Sequence, residues 1–267
     1  MLKIMVFPRS GEYDTAKMKL DELNLTYQII KPPVGYENIA VPAIVFEQEV
    51  YAELIKNCGG SFVFSGCVDY KEPANPIEEK QEGSQDVDVF GKSTIMVLTP
   101  CVADESKIRI IAHLSEEQSK LLPYLNTYMQ TASYNDDTQS LTFMEEQRLI
   151  TIYKNRIAIA RADDITDAWR MIAKIRSMIN EVNQKIDTIK PTYEMRKKPP
   201  ALEIYNHLPK INCGQCQQKS CLAFAFALHS GIANPFSCKP IFEGDYKQLT
   251  DAFMEICARI GMTIPEE

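Results

Sequence analysis

Four of the eight cysteines lie within twenty-six residues near the carboxyl end of the chain. Cys213 and Cys216 are separated by two residues, Cys221 follows after four more, and Cys238 after a further sixteen. Gly214 permits the tight bend that would bring two neighbouring sulfurs to one point. We therefore predict that these four cysteines form one thiolate site for a single inorganic centre.

The residues around Cys221 predict how this cysteine is positioned. Cys221 opens an apolar run rich in alanine and leucine, which favours a helix, and Ser220 before it is a favourable N-cap. Exposed N–H groups in a first helical turn stabilise a thiolate or an anionic cluster. Gly231, Asn234 and Pro235 then predict the helix end and a turn that returns the chain to Cys238.

Two kinds of centre use four thiolates, namely iron–sulfur clusters and structural zinc. Zinc sites usually show two short Cys-x-x-Cys pairs or include histidine, whereas this stretch has one short pair. Phe224, Phe226 and Leu228 alternate with small alanines and would form an apolar wall around a cluster. The spacing favours a cluster, while zinc, unrelated thiols and disulfides remain alternatives.

The four cysteines, with Phe224-Ala225 and Gly231 between the last two, resemble an iron–sulfur cluster domain over about residues 201–243. That family occurs in the large subunit of the corrinoid iron–sulfur protein and in the B subunit of Rnf-type electron-transport complexes. The resemblance implies one [4Fe–4S] cluster on Cys213, Cys216, Cys221 and Cys238, single-electron transfer, and a redox or corrinoid protein as partner. The 24 residues after Glu243 are too few for a corrinoid-binding barrel.

Composition limits the other functions that we consider. The 267 residues are 45% hydrophobic and 24% charged, as in ordinary globular proteins, and the net charge is −7. An acidic chain is a poor candidate for unspecific nucleic-acid binding. No apolar run approaches the ~20 residues needed to cross a bilayer, so we predict no membrane insertion. Eight cysteines without a signal peptide indicate a cytoplasmic protein.

Patterning predicts a mixed α/β (α+β) chain with five parts. A small α/β domain at 1–70 precedes an acidic linker at 71–92, which is rich in proline, glycine and acidic residues. An α+β domain at 93–190 combines a three-stranded sheet with long helices. A proline-rich linker at 191–200 then leads to a helical cluster domain at 201–267, and we expect this linker to act as a tether.

Two helices of the middle part carry specific expectations. Ser115-Glu116-Glu117-Gln118 predicts a capped helix that runs to about Thr131, kinked or split at Pro123. Asp163-Asp164 predicts the cap of a long helix that runs to Ile189, with an apolar stripe in alternating steps of three and four. We expect the first half of that stripe to pack internally and the second half to meet a partner helix, which would give a helix-mediated oligomer.

The remaining reactive residues predict little chemistry. Cys67, Cys101 and Cys257 read as packing residues, whereas Cys58 beside two glycines could be exposed and serve as a thiol carrier. His113 lacks a second ligand nearby in the sequence. Lys219 and Lys239 lie close to the cysteines and would favour a reduced, more negative cluster.

The sequence therefore favours a protein that relays single electrons through one [4Fe–4S] cluster in anaerobic metabolism, and it shows no catalytic side-chain set. Two alternatives remain open. One is a zinc-stabilised interaction module without a redox role. The other is an enzyme subunit whose cluster binds substrate.

Overall fold

The computed structural model describes residues 1–73, 88–102, 104–129, 131–196 and 198–260. The chain forms two compact units, each built from three segments. Unit 1 comprises Met1–Pro100, Ser106–Glu117 and Ala162–Glu181. Unit 2 comprises Cys101–Glu105, Gln118–Arg161 and Val182–Glu267. The five-part division of the sequence analysis stays a prediction.

Helices and antiparallel strands are mixed along the chain, which confirms the α+β class. In the described residues the strands are β1 Leu2–Val6, β2 Gln28–Ile30, β3 Ala43–Glu47, β4 Gly66–Asp69, β5 Ser93–Cys101, β6 Asp104–Leu114, β7 Ser133–Asn135, β8 Ser140–Glu145, β9 Arg148–Ile152 and β10 Arg156–Ala162. The helices there are α1 Ser10–Glu22, α2 Gln48–Cys58, α3 Leu122–Tyr128, α4 Ile165–Gln184, α5 Ala201–Asn206, α6 Cys221–His229, α7 Lys239–Phe242 and α8 Thr250–Arg259. None of these helices has the length and apolar character needed to cross a bilayer.

Unit 1 begins with a four-stranded antiparallel sheet in the order β2-β3-β1-β4. Strand β1 is central, with Ile4 opposite Val45 of β3 and Val68 of β4. With α1 after β1 and α2 after β3, this is a βαββαβ arrangement. This mixture of strands and helices agrees with the small α/β domain that the sequence predicted for the start of the chain.

The core of this sheet lies on the face that α1 and α2 cover. It consists of side chains two residues apart on the central strands and one stripe of each helix, including Met5, Phe7, Ala16, Leu20, Ile44, Phe46 and Leu54. Alternation on the strands places these residues on one face of the sheet. This part of the protein is therefore held by ordinary apolar packing.

Helix α4 begins with the predicted aspartate cap. Asp164 Oδ1 accepts hydrogen bonds from the N–H groups of Thr166 (2.8 Å) and Asp167 (3.0 Å). The apolar stripe is buried from Ile165 as far as Val182, beyond the half that we expected to pack internally. Because this chain already buries the stripe, the reason for predicting a helix-mediated oligomer is lost. The helix ends at Gln184, short of the predicted Ile189.

The helix predicted from Ser115 to about Thr131 is wrong. Ser115 exchanges hydrogen bonds with Lys92, since its N–H donates to the Lys92 carbonyl and its Oγ accepts from the Lys92 N–H, both at 2.9 Å. A hydroxyl used in this way does not cap a helix. Only α3 forms, and it places Pro123 in its first turn, where a missing N–H removes no helical hydrogen bond.

Most of the predicted acidic linker, residues 74–87, lies outside the described residues. The end of the linker is anchored within unit 1. The Asp88 carboxylate accepts hydrogen bonds from Arg176 Nη2 (2.6 Å) and Asn180 Nδ2 (2.8 Å) of α4. Phe90 is completely buried. The predicted linker therefore ends in a residue bonded to α4 and a buried phenylalanine, and its bounds stay a prediction.

In unit 2 the strands β7 to β10 are antiparallel neighbours in chain order, so the predicted three-stranded sheet has too few strands. A tight turn at Lys154-Asn155 joins β9 to β10, with the Tyr153 N–H donating to the Arg156 carbonyl at 2.8 Å. Strand β7 was missed because three residues give too short an alternating pattern to recognise.

The proline-rich segment 191–200 is not a free tether. Asn126 Nδ2 donates to the carbonyl oxygens of Thr192 (2.9 Å) and Glu194 (3.2 Å). Arg196 Nε donates to the Ala132 carbonyl at 2.9 Å, and its Nη2 donates to those of Met129 (2.9 Å) and Asn126. The segment is thus hydrogen-bonded to α3 and to the residues after it, which does not fit the free tether that the sequence predicted.

Candidate metal centre

Cys213 and Cys216 lie in an exposed loop with an unusual backbone. Asn212 (φ 50°), Gly214 (φ 73°) and Gln217 (φ 64°) all adopt the left-handed conformation. The Gln217 N–H donates to the Gly214 carbonyl at 2.9 Å, which closes a tight turn around Cys216. Because left-handed residues reverse the chain at three places, this short loop brings both cysteines to one cavity.

Cys221 is the first residue of α6, as the sequence predicted. Ser220 Oγ caps this helix by accepting from the Ala223 N–H at 3.1 Å. A second bond was not foreseen: the Asn212 side-chain oxygen accepts from the Cys221 N–H at 2.8 Å. Asn212 therefore links the Cys213 loop to the start of α6, across nine positions of the sequence.

The return to Cys238 follows the predicted turn residues. Gly231 (φ 72°) follows the end of α6, and its N–H donates to the Leu228 carbonyl at 2.9 Å. Asn234 Oδ1 accepts from the Phe236 N–H at 2.9 Å and so starts a 3-10 turn at Pro235–Ser237. The N–H of Cys238 donates to the Pro235 carbonyl at 3.2 Å.

All four predicted cysteines line one small cavity. Apolar walls come from Pro209, Ile211, Phe224 and Pro240. Exposure falls steeply across the cysteines: Cys213 is exposed and Cys216 half-buried, whereas Cys221 and Cys238 are 8% and 5% exposed. A group held by these sulfurs would have one edge near solvent and the other inside the protein.

The chemistry of this donor set suits a positively charged metal centre. Burial raises the pKa of Cys238 to about 12, against a lowering by the Ile241 N–H, and the nearby Cys216, Cys221 and Cys213 raise it further. Four thiolates around one cavity therefore repel each other unless a cation joins them. Among the described residues no three His, Cys, Asp or Glu side chains form a ready-made single-ion site. The cysteines share a cavity without being drawn to one point.

An apolar cluster on α7 and α8 packs next to the turn that carries Cys238. The Phe242 ring lies 5.6 Å from Phe236 and 6.1 Å from Phe253, measured between ring centroids. Thr250 Oγ1 donates to the Ile241 carbonyl at 3.0 Å. These contacts fix α7, which directly follows Cys238. The sequence predicted a helical domain here but not the role of α8 in holding the turn at Cys238.

Helix α8 also attaches the cysteine segment to the sheet of unit 2. It packs against β8 and β9, and its Asp251 pairs with Arg161 at the end of β10, with Nη2 and Oδ1 3.0 Å apart. Arg161 has the left-handed φ of 66°, a strained conformation for a residue with a side chain. Arg259 of α8 pairs with Glu203 of α5 at 2.9 Å. The cysteine segment is therefore a fixed part of unit 2.

The other cysteines lie outside the cavity, and all eight are free thiols. Cys101 and Cys257 are buried, which confirms their packing role. Cys67 is half-buried on β4, and burial raises the pKa of its thiol to about 11. Cys58 packs at the edge of the unit 1 core and is half-buried. Of the two lysines that we expected near a cluster, Lys219 is exposed, and Lys239 Nζ lies 3.8 Å from Glu243 Oε2.

Comparison with known proteins identifies the cysteine segment. Residues 208–240 match the family described as "Putative Fe-S cluster". Over 47 residues the chain is 43% identical to the acetyl-CoA decarbonylase/synthase complex subunit gamma of Archaeoglobus fulgidus, an alignment that covers 18% of this chain and 10% of that protein. Over 59 residues it is 42% identical to the corrinoid/iron-sulfur protein large subunit of Moorella thermoacetica, with 22% and 13% covered.

A third relative is subunit gamma 2 of the acetyl-CoA decarbonylase/synthase complex of Methanosarcina thermophila, 42% identical over 40 residues, or 15% of this chain and 8% of that protein. The chain thus spans about a tenth of the length of the curated relatives that it matches. No solved structure matches the chain significantly. The resemblance predicted from the four cysteines is confirmed, and the segment 208–240 is an iron–sulfur cluster domain by similarity.

Proposed function

We propose that Cys213, Cys216, Cys221 and Cys238 bind one [4Fe–4S] cluster and that this cytoplasmic protein relays single electrons to a redox or corrinoid protein in anaerobic one-carbon metabolism. The observation that carries the proposal is that all four cysteines line one cavity that is buried at one side and open at the other. When bound, such a cluster exchanges single electrons at a potential set by its surroundings.

The chain's own residues supply the surroundings that a relay needs. Phe224 and Pro240 exclude water from the inner wall, next to the buried Cys221 and Cys238. The exposed Cys213 lies at the surface, where a partner protein can approach. Eight free thiols suit a reducing compartment, and the named relatives belong to a synthase complex and a corrinoid protein.

Anaerobic purification of the full chain tests the cluster first. We expect a brown protein with about four irons and four sulfides per chain, and a broad absorption band near ~400 nm that bleaches on one-electron reduction. Colourless protein with one zinc per chain would replace the proposal by the zinc-stabilised module. Electron relay is then tested by stopped-flow spectroscopy with methyl viologen, because a substrate-binding cluster would have no need to exchange electrons rapidly.

One observation favours a second candidate, an enzyme subunit whose cluster binds substrate. An open cleft of about 340 Å³ lies beside the cavity and shares Ile211 and Pro240 with it, and its lining includes Gln215, Lys239, Glu243 and Tyr246. A substrate-binding cluster needs one iron without a cysteine ligand. Cys213→Ser would then keep a cubane with normal iron content, whereas the relay proposal expects a damaged or lost cluster.

A further inference from the structure

The cysteines of the cavity differ in how firmly the chain holds them. Cys221 is anchored by its N–H, which donates to Asn212 Oδ1 at 2.8 Å. Cys238 is anchored by its carbonyl, which accepts from the Ile241 N–H at 3.0 Å. In the described part of the chain, the Cys213 backbone forms no hydrogen bond at all. The position of Cys213 therefore depends on the bond from its sulfur to the group in the cavity.

Solvent reaches the same four cysteines from one side. Cys213 is exposed and Cys216 is half-buried, whereas Cys221 and Cys238 are buried. A Cβ added to Gly214, the residue after Cys213, would meet nothing within 4 Å, so the space beside the exposed cysteine is open. A small solute such as an oxidant or an alkylating reagent therefore meets the Cys213 edge of the cavity first.

We propose that Cys213 is the release point of this site, the ligand that gives up its iron first when a bound [4Fe–4S] cluster is oxidised. The inference rests on the proposed relay function and names how the same site is regulated. Attack on cysteines follows their exposure, and an oxidant or electrophile reaches Cys213 while Cys221 and Cys238 are covered. The freed Cys213 is then a thiol open to modification, and the other three cysteines hold an incomplete cluster.

The step balances with any one-electron oxidant, such as dioxygen or ferricyanide. The [4Fe–4S]²⁺ core gives one electron to the oxidant and becomes [4Fe–4S]³⁺, which then loses Fe²⁺ and leaves [3Fe–4S]⁺. The Cys213 thiolate gives up its bond to the departing iron and takes a proton from water. Added Fe²⁺ and one electron reverse the change, with the proton returned to water. Oxidation would therefore stop the relay without destroying the site.

The test traps the released thiol in the anaerobic holoprotein. One equivalent of ferricyanide is added, iodoacetamide follows under native conditions, and the alkylated cysteines are located by peptide mass spectrometry. We expect Cys213 to be alkylated in the same fraction of chains that show the electron paramagnetic resonance signal of a [3Fe–4S] cluster, with about three irons left in each such chain. Cys216, Cys221 and Cys238 should be alkylated about tenfold less.

Three controls show that the alkylation reports the release of iron. Holoprotein that receives no ferricyanide should keep Cys213 unalkylated, because the bound iron occupies its sulfur. Cys58, which is half-buried and lies outside the cavity, should react to the same extent with and without the oxidant, so that a rise there would report general unfolding. Ferrous iron and dithionite should restore the fourth iron after ferricyanide alone, but not after alkylation of Cys213.

The failure of this inference is distinguishable from the failure of the proposed function. If oxidation frees Cys216, Cys221 or Cys238 before Cys213, or frees all four at once with loss of all iron, the release point falls and the relay stands. If untreated holoprotein with four irons is already alkylated at Cys213, that cysteine is not a ligand, and the proposed ligand set falls together with the inference. A chain that binds no iron at all overturns the proposed function itself.

Discussion

The βαββαβ part of unit 1 and the cysteine segment of unit 2 are stabilised in different ways. The first buries alternating strand residues and helix stripes in a continuous apolar core around Phe46 and Leu54. The second has an exposed loop of left-handed residues, and its short helix α6 carries an unburied apolar face. A core of this kind is stable without any bound group, whereas the loop depends on what its four cysteines hold.

The two regions therefore differ in what holds their shape. Regular packing gives unit 1 a fixed shape with no need of a cofactor. The loop from Asn212 to Cys221 is exposed and held by a few hydrogen bonds, so we expect its geometry to depend on the cluster that we propose. The following predictions separate these two sources of stability, beginning with the largest expected effect.

Removing the two buried cysteines should abolish the bound cluster. We expect Cys221→Ser/Cys238→Ser to lose nearly all iron, because a hydroxyl is a poor ligand for iron in place of a thiolate. Amide hydrogen exchange should then rise sharply in the loop around Cys213 and stay unchanged in β1 and β3. Cys67→Ser is the matched control, since it alters a half-buried thiol outside the cavity, and it should keep its iron. Faster exchange in β1 would contradict the comparison.

Truncating a side chain of the unit 1 core should lower the stability of the protein and leave its iron content unchanged. Leu54→Ala removes a fully buried side chain and should lower the free energy of unfolding by about 2–5 kcal/mol, measured by urea denaturation. Iron content at low temperature should not change. Met18→Ala, on the exposed side of α1, should have a far smaller effect and controls for loss of helix-forming side chains. Loss of iron in proportion to loss of stability would show that the two regions depend on each other.

Breaking the bond between Asn212 and the start of α6 should loosen the cluster without removing it. Asn212→Ala leaves the Cys221 N–H without its acceptor and should cost about 1 kcal/mol. Replacing Asn at a φ of 50° by alanine adds a backbone penalty of similar size. We expect faster loss of iron to a chelator, followed by the fading of the visible band. Asn57→Ala, an exposed asparagine on α2, is the control. Equal rates of iron loss in the two variants would show that Asn212 does not stabilise the site.

The smallest effect is expected at Gly214. A methyl group there would meet nothing within 4 Å, so the cost of Gly214→Ala is only the left-handed backbone, about 1 kcal/mol. Gly66→Ala is the contrasting variant in unit 1, because its Cβ would lie 2.0 Å from the Leu98 carbonyl oxygen. Chelator resistance should drop slightly in the first variant, and thermal stability should drop strongly in the second. A larger effect of Gly214→Ala than of Gly66→Ala would contradict the argument that only Gly66 lacks room for a methyl group.

Local signals in the sequence predicted local structure well. The Ser220 cap and the Asp164 cap each depend on neighbouring residues, and both are present. The cysteine spacing predicted one shared cavity because short loops limit where sulfurs can go. Partners distant in sequence were not predictable in the same way. Ser115 carries a capping pattern but bonds to Lys92, and only the folded chain decides between these two uses of one hydroxyl.

The same limit applies to the predicted tether. Prolines and positive charges from Pro191 to Pro200 are typical of an exposed linker. The hydrogen bonds that hold this segment join Asn126 to Thr192 and Arg196 to Ala132, over sixty positions away in the sequence. Periodicity and composition carry no information on such bonds. Asn212 was likewise missed, since an asparagine beside a cysteine gives no signal that it will cap the helix nine residues later.

The most direct test of the central claim is Mössbauer spectroscopy of the anaerobically prepared, iron-57-enriched full chain, with metal and sulfide analysis of the same sample. The account predicts about four irons and four sulfides per chain, in a signal typical of a [4Fe–4S] cluster that disappears in Cys221→Ser/Cys238→Ser. A chain that holds one zinc and no iron, or an iron signal that survives in this double variant, would contradict it.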